Sequence, residues 1–256
     1  EMAAKEKDKT RKAELIPIAE TCEHVPEHPA RNMREVMQAH WFAHLAAELE
    51  QIGCGYSEAY LGQNLDPYFQ ADKAAGLIDY DDAVFMFQNL TIKLNELNYY
   101  YGEKVSLQNS ADLGQSITLA GYTEEGQDAT AEMDYVIVDA CTYLGMPQPP
   151  LSCALTSKTP GKFIEKVLDC IATGVGMPQF VNADVMVERA LHLWGPDGLS
   201  LGKARRTAIG ACVGSYPAYE TGHPVEGQPN LGKVLELTMN NGFDPLTKKQ
   251  IGPKTG

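Results

Sequence analysis

Pro147-Gln148-Pro149-Pro150-Leu151-Ser152-Cys153-Ala154-Leu155 is the stretch that decides the fold class. Proline fixes φ and biases the preceding residue away from the α region, so the three prolines hold this segment extended. Leu151–Leu155 then runs mostly apolar and without charge, the pattern of a strand buried on both faces. Downstream, Phe163–Ala172 has helical apolar spacing, Phe180–Val181 reads as a short strand, and Asp184–Leu193 returns to helix. Upstream, Ser116–Ala120 reads as a strand, followed by a turn at Gly121–Gly126 and a helix over Ala129–Leu144. Strand and helix alternate and the helices are longer, which predicts an α/β fold with short strands between helices.

The flanks are helix-rich. Residues 1–22 read as a helix broken by Pro26 and Pro29. Asn32 is placed to cap a helix running to about Ile52, with Gly53 as its stop. Val36, Met37, His40, Trp41, His44 and Leu45 share one stripe of it. Residues 53–63 read as loop or short strand, and Leu65–Ala75 as a helix with Pro67 near its start and Gly76 after its end. Asp79 or Asp81 caps a further helix through Leu94, and the tyrosine-rich residues 98–113 read as loop. Leu201–Thr207 is expected to be helical, the glycine- and proline-rich residues 210–227 a loop, and Leu231–Asn240 a helix stopped by Gly242. With no repeat or linker, one domain piece is expected.

Composition narrows the partners. A net charge of −13 over 256 residues and a pI near 4.9 argue against nucleic acid and anionic membranes. No apolar run reaches the ~18 residues of a membrane span. Cys22, Cys54, Cys141, Cys153, Cys170 and Cys212 are scattered, a pattern of reduced thiols that suits the cytoplasm. The chain starts at Glu1 and stops at Gly256 in a loop-like stretch, so both ends read as cut points in a longer protein.

Several motifs carry chemistry in principle. His40 and His44 stand at i and i+4, a spacing that can hold a metal. No third ligand is legible beside them, so packing or hydrogen bonding is the expected role and no metal is assigned. The sequon Asn89-Leu90-Thr91 falls inside an apolar helical run and reads as core. Gly174-Val175-Gly176-Met177-Pro178 has no Lys-Ser/Thr and follows a helix, so it reads as a helix-to-strand turn requiring positive φ.

Ile209-Gly210-Ala211-Cys212-Val213-Gly214-Ser215-Tyr216-Pro217 sets a cysteine among small residues. Catalytic side chains often sit on such loops, although a lone cysteine is more commonly a small core residue. His223, eleven residues on, leaves a Cys–His hydrolase open on local evidence.

The chain as a whole resembles the glycyl radical enzymes of the pyruvate formate-lyase type. Pro29–Glu48 is similar to their Pro…Arg-x-x-x-Glu-Ala-x-Gln helix. Asn64–Gly76, with Asp66-Pro67-Tyr68-Phe69, and Asp82–Glu96, ending Lys93-Leu94-Asn95-Glu96, are similar to the next two helices. Ser116–Asp128 and on to Thr130 looks like their GG…GxDATN segment, and Gln148–Ser152 like their PQPSLS strand. Gly174–Phe180 matches GxGMPxF, and Leu231–Gly242 matches the helix after the active-site cysteine. The likeness spans about residues 29–256.

The resemblance implies part of a ten-stranded α/β barrel in which two finger loops meet. Residues 1–256 would be a partial catalytic domain, cut at both ends and without the C-terminal glycyl radical domain. Cys212 matches the cysteine that becomes a thiyl radical after passing its hydrogen atom to the stored glycyl radical. That radical would be installed by a separate activase using S-adenosylmethionine and an iron–sulfur cluster. No bound cofactor is implied for this chain. A small-molecule substrate, the activase and a homodimer at full length are the implied partners.

Two departures refine the expectation. The glycyl motif is absent, so this chain alone should be inactive. The family's dehydratases and C–N or C–S lyases usually read Gly-Cys-x-Glu, but Ala211 precedes Cys212 and Gly214 takes the Glu slot. The paired cysteines of the formate acetyltransferases are also missing, since the neighbours are Ala211 and Val213. Without the Glu, Glu220 and His223 are the candidate acid/base groups. The leading expectation is a radical lyase that cleaves a C–C bond of a small carboxylated metabolite, a decarboxylase or a formate-lyase (acyltransferase) relative. The alternatives are a radical dehydratase or eliminase acting on a diol, choline or hydroxyproline, and a fragment with no activity of its own.

Overall fold

A computed structural model of the chain describes residues 1–50, 56–97, 114–210, 213–220 and 230–254. The expected loop at 98–113, Cys54, Cys212 and His223 lie outside the described residues. The chain divides into two compact units, Glu1–Thr221 and Gly222–Gly256.

The first unit opens with α1 (Met2–Lys5), α2 (Lys9–His24) and α3 (Met33–Glu50). There follow β1 (Glu58–Ala59), α4 (Leu61–Ala74), α5 (Tyr80–Glu96) and β2 (Ile117–Ala120). Next come α6 (Glu132–Leu144), β3 (Leu151–Leu155), α7 (Gly161–Ala172), β4 (Gln179–Asn182) and α8 (Ala183–Trp194). A short α9 (Leu201–Arg205) leads into β5 (Thr207–Gly210) and β6 (Gly214–Pro217).

Strands β1 to β4 form one parallel sheet in sequence order, each joined to the next through helix. Parallel strands need such crossovers, and helices over the faces bury them. Ile117–Ala120 is buried along its whole length and Leu151–Ala154 likewise, as the unbroken apolar run at 151–155 requires. The core gathers Phe87 and Leu94 of α5, Met133 and Ile137 of α6, and Phe163 and Val167 of α7 against the sheet. Phe163, Val167 and Cys170 form one buried stripe on α7 at helical spacing.

The caps follow side-chain chemistry. Asn32 Oδ1 accepts from the Glu35 backbone N–H at 2.9 Å, as expected for the start of α3. Asp79 and Asp82 make a reciprocal capping box on α5 at 2.9 and 3.1 Å. Asp79→Ala should cost about 1 kcal/mol of stability, read as a lower urea midpoint with an unchanged slope. Thr91 of the sequon is buried, in line with a core reading. Gly174 and Gly176 have φ of 86° and 78°, the left-handed values expected for the turn before β4.

Four differences from the sequence reading have physical reasons. Residues 1–22 form two helices, because Asp8 turns to accept from the Arg11 N–H and starts α2 afresh. Helix α4 begins four residues earlier than expected, at Leu61, with Pro67 inside it. Burial of Leu61, Leu65 and Phe69 in one stripe outweighs the missing proline donor. Helix α6 begins at Glu132 and not at Ala129, since the Asp134 carboxylate accepts from the Ala131 N–H and fixes the first turn there. The helix expected over Leu201–Thr207 ends at Arg205, and Thr207–Gly210 pairs antiparallel with Gly214–Pro217, partly in place of the loop expected at 210–227.

The second unit holds α10 (Leu231–Met239) and a small antiparallel pair, β7 (Phe243–Asp244) with β8 (Lys249–Gln250). Asn230 caps α10, and Asp244 accepts from Lys233 Nζ at 2.9 Å and from Thr247 Oγ1 at 2.7 Å.

Candidate active site

The hairpin β5–β6 is the element that carries the cysteine motif. Its register pairs Thr207 with Pro217 and Gly210 with Gly214, so the residues between the two glycines in sequence are Ala211, Cys212 and Val213.

Three anchors fix the hairpin to the sheet and to α8. Tyr60, at the end of β1, is buried with φ 57° and donates its hydroxyl to Thr207 O at 2.7 Å. Burial pushes that phenol far above its ordinary range, so it remains a donor. The Arg206 guanidinium lies 4.1 Å from the centre of the Tyr60 ring and donates to Gln63 Oε1 at 2.6 Å. Thr118 of β2 accepts from the Ile209 N–H through its hydroxyl oxygen at 2.8 Å. Arg189 of α8 donates to Ser215 O at 2.6 Å and Ser215 Oγ at 3.0 Å. The Ile209 side chain packs with Ala154, Ala183 and Met186.

Gly214, where a carboxylate would stand in the Gly-Cys-x-Glu pattern, is filled from the side. A Cβ built there would lie 2.5 Å from the Tyr216 ring and 2.9 Å from its hydroxyl. That ring in turn sits 6.3 Å from the ring of Trp194. A glutamate at 214 could be seated only if Tyr216 moved.

Glu220 stands three residues beyond Pro217, the residue that pairs with Thr207. That is the end of the hairpin remote from the Gly210–Gly214 pair, and four paired residues separate the two ends by roughly 10 Å. Its carboxylate meets Lys203 Nζ at 2.8 Å. Glu220 and Lys203 line a cavity of about 350 Å3 with Thr123, Arg206 and Tyr219. The structure thus sets Glu220 in an ion pair at the base of the hairpin.

Of the four described cysteines Cys22 is exposed on α2, and the three others lie in the core. Cys141, Cys153 and Cys170 are buried, and burial pushes the Cys141 thiol up to about 12 and the Cys153 thiol further up.

A carboxylate that sequence spacing does not reveal lies elsewhere. Glu58 of β1 meets both histidines of the α3 pair, His40 Nε2 at 3.2 Å and His44 Nδ1 at 2.8 Å. Nothing in the spacing of residues 40, 44 and 58 announces this, because β1 comes back to α3 through tertiary folding.

Known proteins agree with this architecture. The family described as pyruvate formate lyase-like matches residues 1–256. Trans-4-hydroxy-L-proline dehydratase of Clostridioides difficile is 31% identical over the whole chain, and indoleacetate decarboxylase of Tractidigestivibacter scatoligenes is 32% identical over 93% of it. A glycyl radical enzyme from Archaeoglobus fulgidus superposes on all of the chain with a TM-score of 0.89 at 26% identity, using 33% of its own length. The chain spans 32% and 27% of the two curated relatives. With a family match over every residue and a shared fold, this chain belongs to the pyruvate formate lyase-like family of glycyl radical enzymes.

Proposed function

We propose that this chain is the cysteine-bearing part of a glycyl radical lyase that breaks a C–C bond in a small carboxylated metabolite, with Cys212 as the thiyl residue. The carrying observation is Gly214, whose side-chain space the Tyr216 ring fills. Removing water from a diol or a hydroxy acid needs a base to take a proton as the hydroxyl leaves. Beside Cys212 in sequence that base is missing, and Glu220 pairs with Lys203 at the far end of the strand pair. Decarboxylation needs no such base next to the thiol: the carboxylate would give one electron to the thiyl radical and leave as carbon dioxide, and the thiolate so formed would take up a proton and return a hydrogen atom to the substrate radical, which restores the thiyl. The indoleacetate decarboxylase relative supports a carboxylated substrate. The glycyl radical would lie elsewhere in the complete protein and would be installed by an activase. It would supply the hydrogen-atom acceptor for the Cys212 thiol. In this reading the chain's own contribution is the pair of strands on either side of Cys212, held by Tyr60, Thr118 and Arg189.

The test is product analysis of the complete, activated enzyme without oxygen. Release of carbon dioxide or formate supports the reading, and release of water or an amine from a diol, choline or hydroxyproline overturns it.

The dehydratase relative keeps a second reading in view, an eliminase with Glu220 as base. Glu220→Gln separates the two. As base, its loss should abolish turnover and spare the radical signal. As the partner of Lys203, its loss should leave turnover within about tenfold, given the small worth of exposed ion pairs.

A further inference from the structure

His40 and His44 stand one turn apart on α3, and Glu58 of β1 brings a carboxylate oxygen to both. The ligand atoms of the three residues all lie within 4.8 Å of one another.

The hydrogen bonds around His44 decide what this cluster can bind. Gln115 Nε2 donates to Leu94 O at 3.1 Å, which leaves Gln115 Oε1 facing His44 Nε2 at 2.6 Å. An amide oxygen only accepts, so His44 Nε2 carries a hydrogen. In the neutral ring, Nδ1 is then a lone pair pointing at Glu58 Oε1, 2.8 Å away, which also offers lone pairs. His40 Nε2 becomes a third such atom when its ring carries the hydrogen on Nδ1. It is buried, 3.2 Å from the same oxygen, and without a hydrogen bond of acceptable geometry.

Three converging donors of electron pairs call for a cation. A proton on His44 Nδ1 would satisfy that ring and Glu58 but leave His40 Nε2 buried, 3.2 Å from Glu58 Oε1 and without a well-aligned hydrogen bond. A metal ion takes all three. Proteins commonly orient a metal-ligating imidazole by giving its other nitrogen an oxygen acceptor, and the fully buried Gln115 provides one. Glu48 Oε1, 3.7 Å from His44 Nε2, adds negative charge behind the ring.

We propose that His40 Nε2, His44 Nδ1 and Glu58 Oε1 form a binding site for a divalent transition-metal ion of the zinc type, leaving a fourth position for water. Two imidazoles and one carboxylate suit zinc better than magnesium or calcium. Bonds of about 2.0–2.1 Å at tetrahedral angles set neighbouring ligand atoms roughly 3.3 Å apart. The observed 2.8 and 3.2 Å to Glu58 need to open by a few tenths of an ångström, and the two imidazole nitrogens, within 4.8 Å of each other, need to settle at the same spacing. The ion would tie α3 to β1 and, through Gln115, to the start of β2.

The chain, stripped with a chelator, is titrated with Zn2+ by calorimetry and with Co2+ by visible absorption. The expected result is one ion per chain, a rise in Tm, and cobalt bands of a four-coordinate nitrogen–oxygen site. Glu58→Gln and His40→Ala should each weaken binding by at least ~100-fold, and Gln115→Leu by roughly 10- to 100-fold. His28→Gln, altering another histidine pair at the same spacing, should change nothing. His40 is partly exposed, so its variant remains informative if Glu58→Gln does not fold. No uptake of zinc at micromolar concentration, or equal affinity in folded His40→Ala, means a protonated imidazole–carboxylate pair and overturns the proposal.

Discussion

Replacing Cys212 by alanine in the complete, activated enzyme is expected to lower turnover at least ~10^4-fold while leaving the glycyl radical spectrum intact. The size of the loss follows from the proposed role: a residue that forms the reactive species itself is not replaced by its surroundings. Cys212→Ser is the more informative companion. It keeps the shape and a donor, but the O–H bond holds its hydrogen atom more tightly than S–H does, so turnover should be lost to the same degree. Neither change should unfold the hairpin. Its hold comes from Tyr60 on Thr207 O, Thr118 on the Ile209 N–H and Arg189 on Ser215, none of which involves the 212 side chain. Spin quantitation with product analysis on the same sample checks both halves. Turnover above about one per cent in either variant would remove Cys212 from the mechanism. Buried Cys153→Ala makes the contrast: it should lower stability and spare turnover per folded molecule.

Much of the sheet is legible in the sequence because its strands are buried on both faces and lie between helices of clear period. The apolar run Leu151–Leu155 coincides with the observed strand, and the periodic segments over α5, α7 and α8 match those helices to within three residues of their ends. What local pattern does not show is the hairpin. Thr207–Gly210 continues a helical-looking run, and Gly214–Pro217 is full of residues that usually make loops. The chain is extended there because Tyr60, far off in sequence, accommodates a left-handed backbone and reaches Thr207 O. The same limit applies to the site. The missing Glu at 214 can be read from sequence, but the Tyr216 ring that fills its place cannot. His40 and His44 are legible as a pair; Glu58 and Gln115 reach them only through the packing of β1 and of the lead into β2 against α3.

Asp134 sets the other large expected effect, a loss of stability between mildly acidic and neutral pH. Its carboxyl group is fully buried at the start of α6. Oδ2 accepts from the Ala131 N–H at 3.0 Å and the Ala120 N–H at 3.3 Å, while Oδ1 has no hydrogen-bond partner and lies against Gly62. Burial pushes its pKa up to about 7; the two backbone donors lower it, and the nearby Asp66 and Asp128 raise it further. An aspartate in the unfolded chain titrates near 3.9. Between these values the folded state binds the extra proton, so stability falls as pH rises from about 4 to about 7 and stays low above that. The gap between the folded and unfolded carboxyl corresponds to about 4 kcal/mol, and relaxation around the charge makes about 2–4 kcal/mol the expected span. Glu35, held down near 2 chiefly by Arg31, loses its contribution only in acid below about 4.5, a separate window. Asp134→Asn keeps an oxygen for the two backbone donors and cannot ionise. It should cost little at pH 5 and exceed the wild type in stability at pH 8. Urea midpoints for both proteins at pH 5, 6.5 and 8 measure this directly, and their difference cancels the titration of the histidines. Parallel curves across that range would mean that Asp134 ionises at its ordinary pH inside the fold. The consequence reaches the hairpin, because Asp134 holds Ala120, which sits at φ 59° at the end of the strand whose Thr118 anchors Ile209.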